Sequence, residues 1–270
     1  MLVSLEAITR PTRDVLNAAR TLEANEVRFM VDAYYQMQEY RKAAANQIGS
    51  IERAADAGGT HETLDWMLAQ VSTMEKQIER AMDTFSMGSP VGQWMRSIYG
   101  IGPVIAAGML SHIDIRKAPT AGHLWRFSGL DPTLTWNKGE RRPFNAELKT
   151  LCWKLGQCFM KFSKQGECFY GDIYRKRKDY EVQRNEAGGN AVAAAAVLEA
   201  RPTHAQRAIY VTGKLPPAQI DARARRYAVK LFLAHLHEVW YEQEFGCKPP
   251  LPYAISIQGH AHKIDPPHLA

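Results

Sequence analysis

Apolar residues recur at three- and four-residue steps through most of the chain, and that spacing predicts an all-α protein. Val15, Ala19, Leu22, Phe29, Met30, Ala33, Tyr34, Met37 and Tyr40 mark one long helix over residues 12–57, with Thr12 placed to cap it. Gly58-Gly59-Thr60 ends that helix. A second opens at Thr60 or Thr63 and turns Leu64, Met67, Leu68, Val71, Met74, Ile78 and Met82 to one side. Two long helices joined by a tight turn form an antiparallel hairpin with little core of its own. The pattern therefore predicts self-association through residues 12–86 into a homo-oligomer. The alternative is an arm that folds back on its own body.

Gly88-Ser89-Pro90 interrupts the helical period and marks a boundary. Trp94, Ile98, Val104, Ile105, Met109, Leu110 and Ile113 then anchor two short helices on either side of Gly100 and Gly102. Residues 123–127 read as a further short helix, and Gly129-Leu130-Asp131-Pro132 as a turn. Residues 133–144 are basic, with Gly139 and Pro143, and read as a loop or short hairpin. From 145 to 163 the helical signal is strong, with Leu148, Leu151, Cys152, Leu155, Phe159 and Phe162 on one side and Lys149, Lys154 and Lys161 elsewhere. Residues 170–184 continue as helix. The Ala-rich run to Ala200 reads as a linker or a helix of low specificity. A last long helix spans 218–245, with Ile220, Tyr227, Leu231, Ala234 and Val239 inward and Arg223, Arg225, Arg226 and Lys230 as a basic stretch. The resulting division is 1–88 as a dimerisation arm, 89–187 as a compact helical body around the Gly100–Gly102 turn, and 188–270 as a long helix with a Pro- and His-bearing tail.

Charge sharpens this picture. Residues 1–88 hold 9 Lys and Arg against 13 Asp and Glu, a net of −4, while the remainder holds 25 against 15, a net of +10. The acidic end reads as scaffold and the basic end as a surface for a polyanion, of which nucleic acid is the commonest. A hydrophobic content of 46% excludes a disordered chain. No apolar run approaches the ~18 residues of a membrane span, and the first six residues lack the basic and apolar regions of a secretory leader. The expectation is an intracellular protein, cytoplasmic and nucleoid-associated, with no membrane partner. Cys152, Cys158, Cys168 and Cys247 form no Cys-x-x-Cys pair and read as small hydrophobes.

Ile98-Tyr99-Gly100-Ile101-Gly102-Pro103-Val104 has the spacing of a helix-hairpin-helix. Two glycines open backbone conformations closed to other residues, and Pro103 suits the first position of a helix whose free N–H groups favour phosphate. Such a grip holds the DNA backbone and reads no sequence. Lys138, Arg141, Arg142, Lys149, Lys154, Lys161, Lys164, Arg175, Lys176, Arg177 and Lys178 fall within 41 residues that contain four acids. Trp136, Phe144 and Trp153 interleave with them, so the set predicts a phosphate track with stacking platforms, against the alternative of separate solvated faces. His235 and His237 stand two apart on a helix and point to different sides. His260, His262 and His268 with Asp265 match no zinc spacing. Neither a metal site nor a cofactor is expected.

Gly100 to Val104 through Asp114-Ile115, then Ala121 to Leu124, then Phe127-Ser128-Gly129-Leu130-Asp131-Pro132, resembles the carboxy-terminal domain of the IS110/IS116/IS902-type transposases. Asn145-Ala146-Glu147-Leu148-Lys149-Thr150-Leu151 is similar to that family's Gly-Asn-x-x-Leu-Arg-x-Leu helix. The match covers about residues 96–180, and the hairpin before it resembles the family's coiled coil. The resemblance implies a DNA-handling protein of a mobile element or phage, acting as a dimer or higher oligomer on duplex or junction DNA. Two departures change the expected activity. The family's RuvC-like nuclease domain has no counterpart in the helical pattern before residue 88. The family's nucleophilic Ser, placed shortly after the Gly-Leu-x-Pro turn, is also missing: the stretch here reads Thr133-Leu134-Thr135-Trp136-Asn137-Lys138-Gly139. Ser128 precedes the turn and reads as a cap. The expectation is a DNA binder without catalysis. The alternatives are a strand-transfer enzyme using Thr135 or a Tyr, and a protein that binds a host factor through the same basic surface.

Overall fold

The computed structural model describes residues 11–54, 62–250 and 263–267, and every regular element among them is helical. The expected turn at Gly58-Gly59-Thr60 and the tail residues His260, His262 and His268 lie outside the described residues. Contacts divide the chain into two compact units. One takes in residues up to 96 together with 102–114, and the other takes in 97–101 together with residues from 115 onward.

In the first unit, Thr12 caps α1 (Arg13–Ala18) by accepting the Val15 N–H at 3.3 Å. The single helix expected over 12–57 does not form. A 3₁₀ turn at Ala19–Thr21 leads to Leu22 with an extended ψ of 137°, and α2 (Ala24–Ala54) starts afresh. The Glu26 carboxylate accepts the Glu23 N–H at 2.7 Å and satisfies one of the N–H groups that every helix start leaves open. The break resets the helical register. The buried positions of α2 are Val27, Val31, Ala44 and Ile48, whereas Val15, Phe29 and Tyr40, expected inside, are exposed.

Helix α3 (Glu62–Ser86) runs against α2 and buries Ile78 and Met82. Near the middle of the pair, Glu75 is buried and takes a two-pronged contact from the Arg41 guanidinium. That hydrogen bond holds the carboxyl below its ordinary range. After α4 (Pro90–Ser97), α5 (Pro103–His112) is apolar nearly all round and packs on both α2 and α3. Arg28 donates to the Ser111 carbonyl at 3.3 Å, placing a cation at the carbonyl end of α5. The hairpin thus finds in α5 the core it lacks, and the boundary expected at residue 88 gives way to a division that leaves α5 with the arm.

The second unit is organised on α11 (Pro217–Phe245), against which α6 (Ala121–Phe127), α7 (Ala146–Phe162) and α8 (Phe169–Glu186) all pack. Asn145 caps α7 by accepting the Leu148 N–H at 2.8 Å, and Leu148, Leu151, Cys152, Leu155 and Phe159 form its buried stripe. Phe159 stacks on Tyr170 with centroids 4.9 Å apart, and Phe232 meets both rings edge-on. Because α11 has neighbours on several sides, its buried face is broad. It takes in Ile220, Ala224, Ala228, Phe232, Leu233, Leu236 and Val239. Tyr227, expected inward, is exposed, and Leu231 and Ala234 are half-buried.

The Ala-rich run forms α9 (Ala191–Ala200), followed by the unexpected short α10 (Arg207–Val211). Ala194, Tyr210 and Leu215 make a small cluster with Ile220 of α11. Asn185 bonds both backbone groups of Leu215, at 2.9 and 3.1 Å, and holds this cluster to the end of α8. Helices α9 to α11 are therefore not a separate module; α11 is the centre of the unit that holds α6, α7 and α8.

His235 and His237 are both buried and face different neighbours. His235 takes the Tyr170 hydroxyl at 2.8 Å on Nδ1 and contacts the Ile264 carbonyl at 2.8 Å through Nε2. His237 Nε2 lies 2.7 Å from the Ala118 carbonyl. Burial lowers the pKa of each ring, so both are held neutral.

Candidate nucleic-acid interface

The two glycines of the hairpin turn have different physical roles. Gly100 has φ +94°, which side-chain-bearing residues rarely adopt. A Cβ there would lie 3.4 Å from the Phe162 ring and 4.0 Å from the Cys168 sulfur, so this side of the turn packs into the second unit. Tyr99 stands edge-on to Phe162 at 5.4 Å, and Ile101 is buried. Gly102 belongs to the first unit, as the N-cap of α5. Its φ of −83° and ψ of 170° suit any residue, and a Cβ there would meet nothing within 4 Å. Only one of the two glycines thus supplies the special backbone expected of both, and that one faces inward.

A different surface emerges between α6, α7 and α11. The Leu130 N–H donates to the Trp125 carbonyl and the Asn145 N–H to the Phe127 carbonyl, both at 2.8 Å, so the ends of loop 131–144 are tied to α6. Within it, Asp131 accepts both the N–H and the hydroxyl of Thr133, and the Trp136 indole N–H donates to the Glu140 carbonyl at 2.9 Å. The loop forms no strand, but its own hydrogen bonds hold it. Arg142 lies over the Trp136 ring at 5.7 Å, and Lys149, on the first turn of α7, lies 4.2 Å from the centre of the Phe144 ring. Each cation is thereby set beside an aromatic face.

Together with Trp153 of α7, these residues line an open groove of about 640 Å³. A smaller hollow of about 180 Å³ adjoins it, with Lys149 and Trp153 lining both. Cys152, Gly156 and Val229 give the smaller hollow an apolar floor, and Arg225 and Arg226 of α11 bring cations to it. Arg225 is paired with Asp221 at 2.8 Å. Desolvation, then repulsion from Arg223 and Arg225, lowers the pKa of Arg226, whose guanidinium stays charged. Asp131 puts one negative charge into the larger groove, and the Thr133 N–H and hydroxyl keep it ionised by lowering its pKa.

Of the residues expected to touch DNA, the groove brings together Arg142 and Lys149. Lys138 and Arg141 are exposed on the same loop. The run at 175–178 divides. Arg175 pairs with Asp172 on its own helix, and Lys176 is exposed. Arg177 bonds the buried Glu181 and sits between the rings of Tyr180 and Tyr227, while Lys178 bonds Asp221 at 3.1 Å and the Tyr174 hydroxyl at 3.2 Å. The last two of that run are taken up within the protein, because α8 turns them toward α11. Arg225 and Arg226 complete the cationic surface, and they lie some 76 residues beyond Lys149 in the chain. Only the folding of α11 against α7 joins them to it, so no local pattern could have grouped them.

Ser128 is buried and donates to the Trp125 carbonyl at 3.1 Å, capping the end of α6 as expected. Burial pushes the Cys152 thiol up to about 12, which keeps it protonated. Thr135 is exposed on the loop. Among the described residues, no group of three His, Cys, Asp or Glu side chains gathers as a metal site would require. Among the same residues, no helix is long and apolar enough to cross a membrane. Comparison with protein-family models, with curated proteins and with solved structures finds no match to this chain.

Proposed function

We propose that this chain is a DNA-binding protein, and that its grip is the cationic, aromatic groove of the second unit rather than the glycine turn. The observation that carries this reading is the convergence of Arg142 and Lys149 with Trp136, Phe144 and Trp153 on one groove. Cations supply the salt-dependent attraction to phosphate, and exposed rings supply surface that a polyanion made of aromatic bases can use. The net charge of +10 beyond residue 88 agrees with it. The resemblance of residues 96–180 to the carboxy-terminal domain of the IS110-type transposases supports DNA as the polyanion and a mobile element or phage as the setting. It also supports self-association through α2 and α3. Ser128, the serine beside the Gly-Leu-x-Pro turn, is a buried cap and unsuited to attack, which supports a binder, while exposed Thr135 is the residue on which the strand-transfer alternative rests.

The test is fluorescence anisotropy with labelled DNA over a range of salt concentrations. The logarithm of the binding constant should fall linearly with log salt concentration. Replacing Arg142 and Lys149 together by Ala should lower it about tenfold or more at low salt and flatten the slope by about 1.5, since each neutralised phosphate contributes roughly 0.7–0.9. Unchanged affinity in the double variant would remove the groove from the interface, and no binding at low salt would remove the function.

A further inference from the structure

The groove and the hollow beside it share a wall, and that wall is Trp153 with Lys149. Trp153 is 60% exposed, an unusual position for an indole on a helix whose opposite side supplies the core. Duplex DNA has little use for such a ring, because its bases already stack on one another and only their edges reach the grooves. An unpaired base does have use for it, since either face of the base is free to lie on an aromatic side chain. The larger groove, at about 640 Å³, falls within the ~300–1,000 Å³ of sites that enclose small organic groups. The smaller, at about 180 Å³, lies below that range and has an apolar floor of Cys152, Gly156 and Val229. Cations stand where phosphates would run: Arg142 in the groove, Lys149 at the shared wall, and Arg226 at the hollow. Asp131, the acid of the larger groove, would repel phosphate from its own end and so confines the backbone to the cationic side.

We infer that the site takes two successive unpaired nucleotides of single-stranded DNA, one base in each hollow beside Trp153, with the phosphate between them at Lys149. This deepens the DNA-binding reading and rests on it. The closing experiment compares three ligands of equal length, about twelve nucleotides, in the range such grooves cover. They are a single strand, a duplex, and a single strand whose bases are removed while its phosphates remain. The single strand should bind about tenfold more tightly than either of the others at matched salt. Trp153→Ala should weaken the single strand about 5- to 100-fold, the range of one lost stacking partner, and weaken the duplex and the abasic strand several-fold less. Trp153→Phe should restore most of the loss. Trp153 lies on the surface, and circular dichroism of each variant should match the parent. Equal binding of the abasic and base-bearing strands, or an equal loss on duplex and single strand, would overturn this inference and leave the DNA reading standing. Failure of all three ligands to bind at low salt would overturn both.

Discussion

The two units both rest on long helices, but α2 and α11 are used in opposite ways. Helix α2 has α3 and α5 as neighbours and buries a narrow stripe, leaving Phe29 at 72% exposure. Helix α11, of similar length, has α6, α7 and α8 around it and buries even Ala224, Ala228 and two histidines. The number of neighbours, rather than the apolar content of the helix, sets how much of it is buried. The same contrast governs the exposed aromatic rings. Phe29 and Tyr40 lie in a region of net negative charge, so phosphate is not drawn to them. Trp136 and Trp153 lie beside Arg142 and Lys149, the setting on which the proposed DNA binding rests. Charge, not aromatic content, separates a surface suited to nucleic acid from one suited to another helix.

Truncating one phenylalanine in each unit tests this contrast most strongly. Phe232→Ala should cost about 3–5 kcal/mol in denaturant unfolding, because the ring is fully buried between Phe159 and Tyr170. Phe29→Ala should stay within about 0.5 kcal/mol. A large loss at Phe29 that scales with protein concentration would place that face in a contact between copies.

The glycine pair gives a smaller effect. Gly100→Ala should cost about 1–3 kcal/mol, since φ +94° is strained for a residue with a Cβ. Gly102→Val should leave both stability and DNA affinity unchanged, because its backbone is extended and the space around it is open. Loss of affinity in Gly102→Val with an intact fold would return the grip to the glycine turn.

Acid gives the gentlest effect, and separates the buried histidines of the second unit from the carboxylates of both units, where Asp131 and Asp221 are lowered as Glu75 is. His235 and His237 have pKa values lowered by burial, so the stability they contribute is complete above the unfolded value near 6.5 and is lost as pH falls through the folded values. Glu75 is also lowered, here by its hydrogen bond to Arg41. Its contribution is present above about 4.5 and is lost only as pH falls through its folded pKa. Denaturant midpoints taken from pH 7 downward should therefore fall in two stages. His235→Gln should flatten the upper one and Glu75→Gln the lower. A single decline unaffected by His235→Gln would show that the buried ring is not the titrating group.

The elements most legible in the sequence were those with local signals at both ends. Asn145 capping an uninterrupted apolar stripe defined α7 to within a residue, and Pro217 with Gly246 bounded α11. The break at Leu22-Glu23 was not legible, because neither residue is a Gly or Pro and the apolar spacing continues across it. Once missed, it put Phe29 and Tyr40 inside and passed over Val27 and Val31, although Met30, Ala33, Tyr34 and Met37 are half-buried. In the candidate site, Arg142, Lys149 and the aromatic residues were legible as a basic run with rings between. Arg177 and Lys178 belonged to the same run, yet the Lys178–Asp221 pair and the seating of Arg177 on Tyr227 depend on which side of α8 meets α11.

By itself, the sequence determined the helical class, most of the helix limits, and the acidic and basic division of the chain. These follow from periodicity, capping, composition and backbone sterics, all of which act within a few residues. The tertiary structure alone decided that α5 completes the core of the arm, that α11 is the centre of the second unit, and that Arg225 and Arg226 stand beside Trp153. Those outcomes depend on which apolar faces meet, and burial is non-directional, so a stripe specifies that it will be covered but not by what.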